Sequence, residues 1–267
     1  MSDTQKAARR DWLLPVLGIT GAVLHQVLVW FVWYPLAGYD DTTLLAAQLS
    51  FVGLGIALVL SLRLHKERLG LGGVDLLRAL GGIALAYGLL LAVLLIANAL
   101  GGQFEVFRQT YYGVAILDNW LLTGLGEELF FAGVLFTLVQ KRTPRAWLAV
   151  LLTAIAFALW HLPGYLAVGL RTGELGAGIF FDLMLNLLSW IFFGTIYHLS
   201  GNLWLTAFAH ASTDYGLLPA ITDAPALGLL FMLGVVVIAW ELGRRRNSAS
   251  RARGDGGTER RLGPSGA

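Results

Sequence analysis

Long apolar runs separated by short polar breaks dominate this chain. A run that can cross a bilayer is the strongest constraint on its fold, because backbone N–H and C=O groups in hydrocarbon must find partners without water. Runs of spanning length, about 20 residues for a helix, fall near 12–36, 43–62, 77–100, 113–140, 146–168, 176–199, 202–218 and 225–242. The breaks carry turn formers or charge: Asp40-Asp41, Arg63 to Arg78 with its glycines, Gly101 to Tyr112, Lys141 to Arg145 around Pro144, Arg171 to Glu174, and Ser200-Gly201-Asn202. The expected fold is all-α, a polytopic membrane bundle of about eight transmembrane helices. Composition agrees, with 57% apolar and 13% charged residues, where a soluble domain carries about a quarter charged residues. A soluble globular protein, a fibrous protein and a disordered chain are set aside on that ground.

Residues 1–242 are expected to form one transmembrane domain. After Leu242 the composition turns to Arg, Ser and Gly, too polar to bury a core, so 243–267 is expected to be a disordered basic tail near anionic headgroups. That tail is read as a topology anchor and not as a nucleic-acid arm. The apolar run from Trp12 is too long for the core of a cleaved signal peptide, and is read as a retained first span. With eight alternating helices and an inner N-terminus, all of the 19 Lys and Arg residues except Arg108 and Arg171 fall on the inner side. The first outer loop carries Asp40 and Asp41 and no cation. Positive residues collect on the cytoplasmic side, so both termini are expected there, in what reads as a bacterial cell membrane. The chain has no cysteine, which removes disulfides, thiolate nucleophiles and Cys-ligated metals from consideration.

Within hydrocarbon an ionisable side chain is costly and is usually retained for function. His25, Asp182 and His198 have no ionisable neighbour three or four positions away and are read as structural or interfacial. Three clusters are different. Glu127 and Glu128 are adjacent in the fourth run, about 100° apart on a helix, so one is expected to face a reaction site and the other to make a structural contact. Phe157 and His161 stand four apart on one face, as do His210 and Asp214. A carboxylate in such a place suits proton transfer, and an Asp beside a His can fix the imidazole's tautomer.

A Glu-Glu helix, a Phe-xxx-His helix and a His-xxx-Asp helix, in that order, resemble the CPBP family of intramembrane proteases, which includes the type II CAAX prenyl endopeptidases and the bacterial Abi proteins. The resemblance covers about 118–216, through GEELFFAG, FALWH and GNLWLTAFAHASTD. It implies an endopeptidase acting on a hydrophobic, membrane-associated, CAAX-type prenylated or otherwise lipidated peptide. Glu127 and His161 would then activate water, with Glu128 in the same catalytic set, and His210 with Asp214 would support the oxyanion. The family pattern is Glu-Glu-xxx-Arg, and the Arg position here is Ala132, so Glu128 must find another partner or stay protonated. The last position, often Asn in the family, is Asp214, which shifts its expected role from donor to orienter.

No cofactor is favoured, although Glu127, His161, His210 and Asp214 are also a zinc-type donor set. Two other functions fit a membrane bundle with buried Glu and His: a proton-coupled transporter, and a non-catalytic scaffold or bacteriocin-immunity protein. The chain shows no matching pair of broken helices in two halves, which counts against the first.

Overall fold

The computed structural model describes residues 12–66, 69–106 and 116–259, with side chains described through residue 248. Lys6, Arg9, Arg10, Arg68, Arg108, Arg260 and Arg261 lie outside the described residues. Among those described the chain is helical and contains no strand. Seven helices are long and apolar enough to cross a bilayer: α1 Leu13–Ala37, α2 Asp41–Ser61, α3 Gly73–Ala99, α4 Ile116–Gln140, α5 Ala146–Thr172, α6 Ala177–Ser200 and the Pro225–Ser248 part of α9. Between the last two lie α7 Leu203–Asp214 and α8 Ala220–Asp223, and α9 runs over Pro225–Glu259.

The expected span at 202–218 is therefore corrected. Helix α7 has 12 residues, about 18 Å at 1.5 Å per residue, against about 30 Å of hydrocarbon. Its apolar sequence is core and not lipid-facing surface: Leu203, Leu205, Ala207, Ala209 and Ala211 are each 0% exposed.

The alternation of direction survives this correction, because α6 and α9 run parallel. Arg246 Nη1 donates to the Gly201 carbonyl at 3.1 Å, and Gly243 lies so close to the Leu199 carbonyl that no side chain fits between them. Pro225 and Leu229 share a cleft with Leu185 and Leu188, toward the other ends of the same helices. Two parallel neighbours need a return crossing, which α7, residues 215–219 and α8 make together. At the end where α6 stops, Asn202 Nδ2 donates to the Asp75 carbonyl at 2.8 Å and Gln140 pairs with His198 at 3.1 Å. The loops there hold Arg63, Lys66, Lys141, Arg142 and Arg145. Arg171 lies at the opposite end, its guanidinium 4.0 Å above the Tyr39 ring.

Local chemistry sets the helix ends. Asp40 caps α2 by accepting from the Thr43 backbone N–H at 2.7 Å, which holds its carboxyl below the ordinary value. Helix α9 continues past Leu242, where the change of composition leads one to expect irregular chain. Glu241 accepts from Arg244 Nε at 2.7 Å and Arg245 Nε at 2.6 Å, pairs one turn apart that favour helix.

Helix α4 is the pillar of the bundle, with 78% of its span window buried, whereas α1 at the edge has 11%. Asn202 fixes α7 against this pillar's neighbours: its side chain accepts from Leu205 N–H at 3.0 Å while donating to Asp75, and it is 3% exposed. Replacing Asn202 with Ala removes a helix cap, at about 1 kcal/mol, and leaves the Asp75 carbonyl without its donor. A lower unfolding midpoint in detergent micelles is the expected outcome, and an unchanged midpoint would mean that the cap does not hold α7.

Candidate active site

Glu127 and Glu128 sit on a single α-helical turn, Leu125–Glu128, bracketed by π-helical stretches Ile116–Gly124 and Leu129–Phe136. A π turn widens a helix and recurs at functional sites. Both carboxylates point into protein: Glu127 is 9% exposed and Glu128 0%. Facing them from α7 is His210, 4% exposed. Its ring is stacked on Phe193 at 4.4 Å between centroids, with Phe157 edge-on at 5.8 Å. Stacking of this kind fixes the plane of the ring, and with it the directions in which the two nitrogens point.

The imidazole is the hub of the cluster. Its Nδ1–H donates to Glu128 Oε1 at 2.9 Å. Nε2 lies 3.5 Å from Asp214 Oδ2 and 3.8 Å from Glu127 Oε2. Glu127 lines a cavity while Glu128 does not and instead bonds His210, so the two carboxylates take different surroundings although both lie beside one ring. A ring packed against the helix lies between the two directions, so one carboxylate reaches each nitrogen. Glu128, for which the sequence left the partner open, has it in His210. Ala132 is 0% exposed.

Glu127 is also part of the wall of a cavity of about 190 Å³ bounded by α1, α2, α4 and α5. Trp160, His161, Gln48 and His25 line the same space. Each of those four carries a buried polar atom with no hydrogen-bond partner among the described residues: Trp160 Nε1, His161 Nε2, Gln48 Oε1 and His25 Nδ1. Buried polar groups are nearly always satisfied, and a space of this size holds several waters at about 30 Å³ each. The cavity is thus built for water or for a peptide backbone. The other ends of two of these side chains are anchored, Gln48 Nε2 to Thr123 Oγ1 at 2.9 Å and His25 Nε2 to Ser50 Oγ at 2.8 Å. Gly164 makes room for the cavity wall, since a methyl group there would collide with the Trp30 indole.

Of the residues singled out in the sequence, Glu127, Glu128, His210 and Asp214 form one contact cluster. His161 joins through the cavity it shares with Glu127 and through Phe157, whose ring lies edge-on to it at 4.7 Å. His210 and Asp214 do not line the cavity. His198 pairs with Gln140, far along α6. His25, read as structural, lies on the cavity, and Gln48 and Trp160 were not singled out at all. The available signal for Gln48 was an amide in an otherwise apolar span. Trp160 carried none beyond its place beside His161. Among the described residues no group of three or more His, Asp and Glu side chains has the arrangement to hold a metal ion. The zinc alternative on Glu127, His161, His210 and Asp214 finds no support in that arrangement.

Residues 109–216 match the family model described as type II CAAX prenyl endopeptidase, Rce1-like. No curated protein and no solved structure matches the chain.

Breaking a buried pair by removing one partner costs about 3–5 kcal/mol, whereas an amide can still accept from His210 Nδ1–H. Glu128→Ala is accordingly expected to lower the unfolding midpoint sharply, and Glu128→Gln to restore most of it. Equal midpoints for the two variants would show that the bond to His210 does not hold the cluster together.

Proposed function

We propose that this chain, an integral membrane protein with a type II CAAX prenyl endopeptidase segment at residues 109–216, is an intramembrane endopeptidase that hydrolyses a peptide bond in a hydrophobic, membrane-associated substrate. The observation that carries this reading is the position of Glu127, which has the water-sized cavity on one side and, on the other, an imidazole held by two further carboxylates.

Amide hydrolysis needs a base for water, a proton for the leaving amine and donors where negative charge develops. Glu127 is the base. His161, with Nε2 free in the cavity wall, orients the water against it. Water adds to the carbonyl carbon as its proton passes to Glu127. Collapse of the tetrahedral intermediate then breaks the C–N bond as Glu127 returns that proton to the nitrogen, leaving an acid and an amine. His210 Nε2, beside both Glu127 and Asp214, balances the charge of the Glu127 carboxylate without lining the cavity itself. Glu128 and Asp214 position the ring and do not meet the substrate.

Access runs through the edge of the bundle. Helix α1 lends His25, Gln26 and Trp30 to the cavity, yet it is the least buried of the spans. A hydrophobic peptide, prenylated or otherwise lipidated, therefore reaches Glu127 sideways from the bilayer, past α1. The end that collects the loop cations is the cytoplasmic one by the positive-inside bias, in a bacterial cell membrane.

The decisive measurement is cleavage of an internally quenched hydrophobic peptide by purified protein in liposomes. Glu127→Ala and His161→Ala are each expected to lower the rate by about 10²–10⁴-fold, while His198→Ala, outside the cavity, keeps wild-type activity. Equal rates for all four proteins would overturn the assignment.

A further inference from the structure

The cavity wall contains a hydrogen-bond donor with nothing to donate to. Trp160 is 4% exposed, and its Nε1–H has no partner among the described residues. An indole nitrogen is a donor only, so neither a cation nor a substrate N–H can satisfy it. It takes an acceptor, such as a carbonyl oxygen. The ring cannot turn away to find one elsewhere, because it is packed against Phe51 at 4.7 Å, Phe131 at 5.4 Å and His161 at 4.6 Å between centroids. The indole ring lines Glu127's cavity and lies against the His161 imidazole that lines it too.

The second consideration is what His210 can reach. One of its nitrogens is bonded to Glu128, the other faces Asp214 and Glu127, and the ring does not line the cavity. An oxygen held in the cavity against Glu127 therefore meets the α5 wall first. A fixed donor needs no reorganisation when charge appears, and that is the condition for strong stabilisation of an oxyanion.

We propose that the Trp160 indole N–H is a catalytic donor to the carbonyl oxygen of the scissile peptide. This rests on Glu127 acting as the base. As water oxygen bonds to the carbonyl carbon and its proton moves to Glu127, the carbonyl π pair moves onto oxygen, and the Trp160 N–H holds that oxyanion. When the pair returns, the C–N bond breaks, the nitrogen takes the proton from Glu127, and the donor is released from the product. Trp160 itself gains and loses no proton.

The test replaces Trp160 by β-(3-benzothienyl)alanine, which keeps the bicyclic shape and puts sulfur where the N–H was. Cleavage of the quenched peptide in liposomes is expected to show kcat lower by about 10²–10³-fold with KM little changed and the unfolding midpoint retained. Trp160→Phe is expected to move kcat in the same direction. Trp204→Phe removes another buried, unpartnered indole N–H that lies away from the cavity, and is expected to keep wild-type kcat. If Glu127→Ala is inactive and the benzothienyl protein turns over at the wild-type rate, the role of Trp160 is overturned while the protease reading stands. If Glu127→Ala matches wild type, or wild type cleaves nothing, the protease reading falls and this one with it. A measurement independent of turnover is the Trp160 indole ¹⁵N–¹H resonance, identified by its loss in Trp160→Phe. It is expected to shift on binding a phosphonamidate peptide, and no shift on saturation would also overturn the role.

Discussion

The hydrogen bond between His210 Nδ1 and Glu128 Oε1, 2.9 Å long and fully inside the bundle, is the interaction on which the rest of the structure depends. Two acids on α4 are buried, and lipid offers them nothing in exchange. One imidazole lies against both. Because it does so from a different helix, the requirement for satisfaction draws α7 against α4 and fixes the orientation of each. The stack on Phe193 and the Asn202 cap serve the same end, one setting the plane of the ring and the other the height of its helix.

Much of this was legible in the sequence, and the failures have physical reasons. The apolar runs located seven spans because length and hydropathy measure what the bilayer measures. They took the run at 202–218 for a further span because hydropathy cannot distinguish a surface that meets lipid from one that meets protein. Leu205 and Ala209 look alike in either setting, and only a 12-residue helix shows which it is. The pair Glu127-Glu128 was found through the cost of burying charge, but that Glu128 would bond an imidazole which also lies 3.8 Å from Glu127 was not readable from the helix angle.

The cavity was the least readable part. Gln48, His25 and Trp160 come from three helices, and no spacing within one segment connects them. What unites them is a shared deficiency, a buried polar atom without a partner, which exists only once the helices are assembled. The substitution at Ala132 was readable as a missing cation, and its resolution was not, because His210 lies 82 residues from Glu128.

The shortness of α7 has a consequence for how the protein is made. A 12-residue segment bearing His210 and Asp214 is too brief and too polar to be retained in the membrane by its own affinity. It can be held there only once α6 before it and α9 after it in the chain are both in the membrane. The cluster of His210, Asp214 and the α4 glutamates is thus completed only when the hydrophobic frame around it is standing.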